Sequence, residues 1–312
     1  MAIIAVAGGT GKLGRAIVEA LKNTTGHRVA VLTRKATDDL AKELGVPLLV
    51  ADYSNVDSLT HLLENNQIDT VISAMSLIND ETSNSQLNLI EAADRSSSTK
   101  RLIPSEYGIC YNEEHAALFP IVKGKLAATQ KLRSTSLEYT LVSNGFFLDY
   151  YGLPKVKSYL QPFVFAVDMA NNAATIPGSG DTPVVFTHTF DVANFVAALV
   201  GHADWPERSI IIGDKKTWND FVAIAEEIKG VKFNITYDNE EMLKNSQVTE
   251  LPSHPSIYPF LPKEHLQHIL AVFGFWTAVG DFDLPEEDTL NSRFPNIKTR
   301  TVHEVLGQGW KP

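Results

Sequence analysis

Three glycines near the start of the chain have the spacing of a phosphate-binding turn. They belong to the stretch VAGGTGKLGRAIVEALK and lie three residues apart at Gly8, Gly11 and Gly14. An apolar run precedes them and a helical pattern follows, which is the strand-to-helix context that phosphate binding requires. Glycine lets backbone N–H groups approach a pyrophosphate, and the helix N-terminus adds about half a positive charge. We therefore predict a dinucleotide site, with a plain strand-to-helix turn as the alternative.

Basic residues at the end of the second apolar run indicate which dinucleotide binds. The run VAVLTRK ends in Arg34 and Lys35. In NAD-binding sites an Asp or Glu usually occupies this position and binds the ribose 2′-hydroxyl. A guanidinium instead suits a 2′-phosphate. The sequence therefore favours NADPH over NADH, and the alternative is a solvated basic pair in a loop.

A lysine on a predicted helix over about Ala116–Arg133 is the candidate acid–base group. The apolar stripe of this helix runs through Ile121, Lys125, Ala128 and Leu132, whereas Lys123 lies on a more polar face. Lys125 should therefore project toward the packed side of the helix. Partial loss of hydration there would ease proton release from its ammonium. The alternative is a lysine that only extends its stem along the helix edge.

The pair Tyr151 and Lys155 has the Tyr-x-x-x-Lys spacing of typical short-chain dehydrogenases. Gly152 and Pro154 lie between them and break a helical turn. We therefore do not assign this pair to catalysis.

An aromatic stretch follows the strand EYTLVSNG. Asn144 and Phe146 are candidate cofactor contacts, and Phe147, Tyr150 and Tyr151 are candidate substrate contacts. Packing between two parts of the protein explains the same residues equally well, so both interpretations stay open. His115 and His188 are isolated and are expected to be structural, and Asp191 is expected to cap a helix.

The order of apolar runs and helical patterns predicts an α/β fold. Strand-like runs alternate with helical patterns through the first half, which implies a Rossmann-type, doubly wound parallel sheet. We expect a cofactor-binding domain over residues 1–150, with part of 180–205 packing back on it. Residues 151–312 are expected to form mainly a smaller α+β substrate-binding part, interleaved with the first.

Composition excludes several classes of function. The chain has 312 residues, a net charge of −10 and one cysteine. The acidic balance argues against nucleic acid and anionic membranes as partners. No apolar stretch is long enough to span a bilayer, no metal-ligand spacing occurs, and Gly-x-Ser-x-Gly is absent. We expect a cytoplasmic protein that uses no metal.

Four stretches, in the same order, resemble the isoflavone reductase-like family. They are GGTGKLG, RLIPSEYG, PGSGDTPVVFTHTFDVANFV and FPNIKTRTVHEVL. The family includes phenylcoumaran benzylic ether reductases and belongs to the NmrA-like group of atypical short-chain dehydrogenases. The resemblance implies a Rossmann-type NADPH domain with a smaller C-terminal substrate domain. It also implies a catalytic lysine fourteen residues before Tyr139, which is Lys125.

The remaining site positions of the family are implied by the same resemblance. The phosphate loop would comprise Gly8, Thr10, Gly11, Lys12 and Leu13, with Arg34 and Lys35 at the 2′-phosphate. Strand-end positions near the nicotinamide would be Ser73, Ala74, Pro104, Ser105 and Tyr107, with Lys125 beside them.

These observations predict an NADPH-dependent reductase of a small aromatic or phenolic metabolite, acting in secondary metabolism as a monomer or homodimer. One alternative is an NADP-sensing regulator that binds dinucleotide without turnover. Another is a quinone or aldehyde reductase on the same scaffold. Lys125 in an apolar stripe favours an enzyme, since a sensor has no use for it.

Overall fold

The first half of the chain folds around a parallel sheet. A computed structural model describes residues 2–24 and 26–311. Its six-stranded sheet has the order β3-β2-β1-β4-β5-β6, and every neighbouring pair is parallel. The strands are β1 Ile3–Ala7, β2 Arg28–Thr33, β3 Leu48–Val50, β4 Thr70–Ser73, β5 Arg101–Ile103 and β6 Glu138–Tyr139. This sheet confirms the predicted Rossmann-type fold class.

Strand β1 lies at the centre because its side chains are apolar on both faces. Val6 pairs with Val31 on one side and with Ile72 on the other, and it has no exposed surface. Strand order reverses between β1 and β4, so the carboxyl ends of β1, β4 and β5 open into one crevice. Ligands of open α/β sheets bind at such a point.

Helices cover both faces of the sheet. The helices that follow β1 to β4 are α1 Lys12–Asn23, α2 Asp38–Leu44, α3 Val56–Asn65 and α4 Asp80–Arg95. Leu13 of α1 and Leu44 of α2 share one apolar core, whereas Leu59 of α3 and Leu89 of α4 share another. Helix α4 begins at Asp80 because Asn79 and Thr82 form a capping box.

The long helix predicted over Ala116–Arg133 is wrong, because two helices occupy this region. They are α5 Glu113–Leu118 and α6 Val122–Leu132. The chain is extended at Phe119, immediately before Pro120, since a residue before proline is driven out of the α-helical region. Lys125 lies on α6, away from the break.

The strand predicted for EYTLVSNG is also divided. Strand β6 ends at Tyr139, and strand β7 Leu141–Ser143 pairs instead with β12 Arg208–Ile210. Helix α7 Thr189–Val200 shares the apolar core of α1. Residues from the second half of the chain therefore pack on the first sheet. The division at residue 150 stays a prediction.

The second half builds smaller sheets and its own core. Its remaining strands are β8 Phe146–Phe147, β9 Val167–Asp168, β10 Ala173–Pro177, β11 Val184–Thr187, β13 Asp214–Lys216 and β14 Asn234–Asp238. Its remaining helices are α8 Trp218–Lys229, α9 Glu240–Lys244, α10 Lys263–Val279, α11 Leu290–Arg293 and α12 Val302–Trp310. The sheets have the orders β14-β10-β9 and β13-β11-β8. None of the helices in the described ranges is long and apolar enough to cross a membrane.

The start of α7 differs from the sequence expectation. His188 caps the helix, because its ring nitrogen accepts from the N–H of Phe190. Asp191 is not the cap. Its buried carboxylate instead accepts from the backbone N–H of Arg300 at 2.8 Å and from the Arg300 guanidinium. Asp191 therefore fixes the segment that leads into α12.

Candidate active site at the carboxyl ends of the strands

Two of the three glycines are required by close packing of the turn. Gly8 has φ +77°, and a Cβ atom on it would lie 2.6 Å from the carbonyl oxygen of Ala74. A Cβ atom on Gly14 would lie 2.2 Å from the carbonyl oxygen of Gly8. Gly11 differs, because its backbone is extended and a Cβ atom there would meet nothing within 4 Å. Open space therefore lies in front of Gly11, at the N-terminus of α1.

The first turn of α1 carries positive charge where helices favour negative charge. It contains no acidic residue, and Lys12 and Arg15 both lie in it. Lys12 has φ +51°, an unusual backbone angle for a residue with a side chain, and its ammonium donates to the Ser76 hydroxyl at 3.1 Å. The Arg15 guanidinium is paired with the Glu43 carboxylate at 2.5 Å, whereas Lys12 has no acidic partner in the part of the chain that the structure describes. An unpaired cation at the positive end of a helix favours a bound anion. The turn therefore fits a pyrophosphate. Thr10 is half-buried within it, and Leu13 packs in the core below.

Arg34 and Lys35 lie just beyond β2 and are exposed. Neither forms an ion pair with any residue in the described ranges 2–24 and 26–311. Tyr53 lies nearby, and its hydroxyl donates to the Leu32 carbonyl at 3.2 Å. Burial raises the pKa of Tyr53, and the Arg34 charge opposes this rise. Both cations are thus available for a 2′-phosphate.

The ends of β4 and β5 are tied together across the crevice. Ser105 donates from its hydroxyl to the Met75 carbonyl at 2.8 Å and from its backbone N–H to the Gln86 side-chain oxygen at 2.7 Å. Ser73 is buried and its hydroxyl has no partner among the described residues. Pro104 is buried between these contacts, and Ala74 is half-buried. The segments that follow β4 and β5 are therefore joined at the crevice.

Lys125 reaches the loop that follows β5. Its ammonium donates to the carbonyl oxygens of Glu106 and Tyr107, the latter at 3.2 Å. Tyr107 has φ +29°, an unfavourable backbone angle for a residue with a side chain, and Gly108 follows with φ +131°, which glycine adopts freely. Lys125 is half-buried and Lys123 is exposed, which is the orientation that the helical pattern predicts. The catalytic role of Lys125 stays a prediction.

Asn144 fastens the same loop from the other side. Its side-chain oxygen accepts from the Gly108 N–H at 3.1 Å, and its backbone N–H donates to the Gly108 carbonyl at 2.9 Å. Asn144 is completely buried. Its side chain therefore holds the loop, and a direct cofactor contact by Asn144 stays a prediction.

The aromatic residues after β7 divide between packing and partial exposure. Phe146 and Tyr151 are 6% and 2% exposed and belong to the core of the second half. The Tyr151 hydroxyl donates to the Phe165 carbonyl at 2.7 Å. The positions of Phe146 and Tyr151 agree with the packing interpretation of the aromatic stretch. Phe147 and Tyr150 are half-buried, and substrate contacts by them stay a prediction.

Two neighbours of the site, Tyr111 and Gln86, were not predicted from the sequence. The ring centroid of Tyr111 lies 4.2 Å from the Lys125 ammonium. Gln86 on α4 holds Ser105, and its own amide nitrogen is buried without a partner in the described part of the chain. Gln86 lies on the apolar face of the amphipathic helix α4. A polar residue on that face could have indicated its role from the sequence. No pattern placed Tyr111, which follows an irregular loop.

A buried polar cluster lies behind the crevice. His188 is 3.5 Å from the Asp149 carboxylate, which also accepts from the Thr189 N–H at 2.7 Å. Burial lowers the pKa of His188 to about 4. Burial raises the pKa of Asp191 to about 6, although contacts with Arg300 oppose the rise. His188 is thus neutral and structural, as expected. Within residues 2–24 and 26–311 no group of His, Cys, Asp and Glu could hold a metal ion.

Strand order, the glycine turn and the basic first turn of α1 together define a Rossmann-type α/β protein with an anion-binding crevice. The NmrA-like family profile matches residues 2–306. The chain belongs to the NmrA-like family.

Named relatives extend over nearly the whole chain. It is 39% identical to the oxidoreductase BOA1 of Botryotinia fuckeliana over 95% of this chain and 96% of that protein. It is 27% identical to the phenylcoumaran benzylic ether reductase TP7 of Nicotiana tabacum, covering 97% of each. The fold is similar to that of leucoanthocyanidin reductase from Vitis vinifera solved with NADPH, with a TM-score of 0.74, 18% identity and 98% of both chains covered. These comparisons confirm the predicted family resemblance and oxidoreductase class, and they agree with NADPH as the cofactor.

Proposed function

We propose that this protein is an NADPH-dependent reductase of a small aromatic or phenolic metabolite. The observation that carries the proposal is the position of Lys125. Its ammonium lies at the crevice, on the loop after β5, in a chain whose glycine turn and α1 N-terminus fit a pyrophosphate. An acid–base group beside a dinucleotide site is the arrangement that a reductase needs.

The residues present fit NADPH. Gly11 leaves open space for the pyrophosphate, and Lys12 would meet its charge. Arg34 and Lys35 would bind the 2′-phosphate as charge-assisted hydrogen-bond donors. The cofactor, when bound, supplies hydride from its nicotinamide ring. Ser73, Ala74, Pro104, Ser105 and Tyr107 would hold that ring at the crevice floor.

Lys125 would manage the proton in one of two ways. As an ammonium, it would donate a proton to the oxygen on which negative charge develops during reduction of a carbonyl. As a neutral amine, it would remove the proton of a substrate phenol and so favour loss of a leaving group from the benzylic carbon. Either step leaves Lys125 to recover its original state by exchange with solvent. Acid–base help of this kind is typically worth about a hundredfold or more in rate.

Substrate class is proposed from the relatives. Two of them are named for aromatic compounds, as a phenylcoumaran benzylic ether reductase and a leucoanthocyanidin reductase. Half-buried Phe147 and Tyr150 follow the strand that ends at the crevice and offer aromatic surface. Quinones and aldehydes are the other acceptors to be compared on this scaffold.

One observation favours a second candidate, an NADP-sensing regulator. The Lys125 ammonium is occupied by the carbonyls of Glu106 and Tyr107 and faces the Tyr111 ring. A lysine held in this way would also serve as a structural anchor of the loop. A sensor would bind dinucleotide through the same turn and catalyse no reduction.

A screen of NADPH consumption separates the two candidates. The purified protein is mixed with NADPH and with panels of phenolic ethers, quinones and aldehydes, and absorbance of the reduced cofactor is followed. We expect turnover with an aromatic substrate. If nothing in the panels is reduced, while a protein partner binds only in the presence of one redox form of the dinucleotide, the regulator is supported and the reductase is contradicted.

A further inference from the structure

The Lys125 ammonium is enclosed on three sides. An ammonium has three N–H donors and no acceptor. The carbonyl oxygens of Glu106 and Tyr107 take two directions, and the ring of Tyr111 covers a third with its centroid 4.2 Å from Nζ. An aromatic face attracts a cation through the negative potential above the ring. Tyr111 therefore contacts this lysine directly.

The Tyr111 ring is held in place by other rings. It meets His115 edge-on at 6.1 Å between centroids, and it meets Trp276 of α10 in the same way at 6.1 Å. His115 is itself fixed, because its Nε2 lies 3.0 Å from the Asp281 carboxylate and its Nδ1 accepts from the Asn112 N–H at 3.0 Å. The ring over Lys125 is thus anchored to the second half of the protein.

Gly108 accommodates the Tyr111 hydroxyl. A Cβ atom on Gly108 would lie 2.4 Å from that oxygen, and the φ of +131° also requires glycine. The loop that offers its carbonyls to Lys125 is therefore shaped around the tyrosine that covers the lysine. Loop, lysine and ring form one packed unit.

We propose that Tyr111 is a positioning residue, whose aromatic face holds the Lys125 ammonium at the crevice. This inference rests on the proposed role of Lys125 in reduction. Tyr111 keeps bulk water from one side of the ammonium and fixes the position of Nζ. Loss of the ring should lower kcat by about twofold to thirtyfold, which corresponds to the usual strength of such contacts.

Three variants test the contact without any substrate. Tyr111→Phe keeps the ring, Tyr111→Leu removes it, and Phe119→Leu removes another ring of the same cluster, 6.1 Å from Trp276. Protein with carbon-13 lysine is examined by NMR, and the Lys125 signal is assigned by its absence in Lys125→Arg. We expect a ring-current shift of this signal in the parent, Tyr111→Phe and Phe119→Leu proteins, and its loss in Tyr111→Leu.

Kinetics with an accepted substrate then test the consequence. We expect kcat to fall in Tyr111→Leu and to remain near the parental value in Tyr111→Phe and Phe119→Leu, with NADPH affinity unchanged in all three. No ring-current shift in the parent, or a shift that Tyr111→Leu leaves intact, overturns the proposal. A parental kcat in Tyr111→Leu also overturns it. Parental activity in Lys125→Arg would instead contradict the proposed role of Lys125 in proton transfer, while the NMR result would stand. Absence of turnover with every substrate would contradict the proposed function itself.

Discussion

Gly14 packs directly on Gly8, since a Cβ atom on Gly14 would lie 2.2 Å from the Gly8 carbonyl oxygen. The first turn of α1 therefore rests on the strand-to-helix turn itself. Gly11 lies between them but faces open space. The three glycines thus have different functions, and substitutions should separate folding from binding.

Gly14→Ala is expected to destabilise the protein. The added methyl group overlaps backbone atoms that cannot rotate away, and such overpacking costs about 1–3 kcal/mol or more. Urea denaturation of parent and variant measures the difference. Equal denaturation midpoints for parent and variant would contradict this prediction, because they would show that the turn accommodates the methyl group.

Gly11→Val is expected to keep the fold and lose the dinucleotide. The extended backbone of Gly11 suits valine, and no protein atom lies within 4 Å of the added Cβ. The branched side chain would occupy the space where phosphate must approach the helix N-terminus. Calorimetric titration with NADPH gives the affinity, and circular dichroism gives the fold. Parental affinity in a folded Gly11→Val protein would mean that the loop is only a turn.

Cofactor preference is expected to depend on Arg34. One charge-assisted pair with the 2′-phosphate should favour NADPH over NADH by about 1–3 kcal/mol. Arg34→Ala should remove most of this preference. Lys35→Ala measures how much Lys35 contributes to it. Arg28→Ala is the matched control, because Arg28 is exposed at the other end of β2. Equal affinity of the parent protein for NADH and NADPH would refute the assignment.

His188 is expected to make stability depend on pH. Burial lowers its pKa from 6.5 to about 4, so the folded state binds fewer protons than the unfolded state between these values. The contribution of His188 is present above pH 6.5 and is lost as pH falls toward 4, by at most about 3 kcal/mol.

Asp191 acts in the opposite direction, which sets the design of the measurement. Its pKa is raised from 3.8 to about 6, so stability from this group is lost as pH rises through that range. Parent and His188→Asn are therefore compared by thermal denaturation from pH 4 to 7. The parent should lose stability relative to the variant as pH falls. Parallel curves would show that His188 does not titrate differently in the folded state.

Local rules predicted the elements whose ends are determined by their own residues. The starts of helices α2 and α3 are determined in this way, because the side chains of Thr37 and Asn55 cap them. The prediction of one long helix around Lys125 was wrong because the chain is interrupted at Pro120, which the apolar pattern does not reveal. The orientation of Lys125 was still correct, since its helical phase is fixed downstream of the break.

The surroundings of Lys125 required the tertiary structure. Its partners are two backbone carbonyls in a loop with positive φ, which leave no residue-type signal. Tyr111 covers the ammonium as part of a ring cluster that His115 and Asp281 join across the two halves of the chain. Likewise Asp191, expected as a cap, binds Arg300, which is distant in sequence.

The role of Lys125 in proton transfer is tested by comparing three lysine variants on one substrate by the rate of NADPH oxidation. Lys125→Met removes the proton and the loop contacts, whereas Lys125→Arg keeps charge and donors but does not release a proton at neutral pH. Lys123→Met is the control on the exposed face of α6. We expect both Lys125 variants to lose about a hundredfold or more in kcat, with NADPH affinity retained, and Lys123→Met to match the parent. Full activity in Lys125→Arg would make Lys125 a structural anchor and would contradict its role in proton transfer.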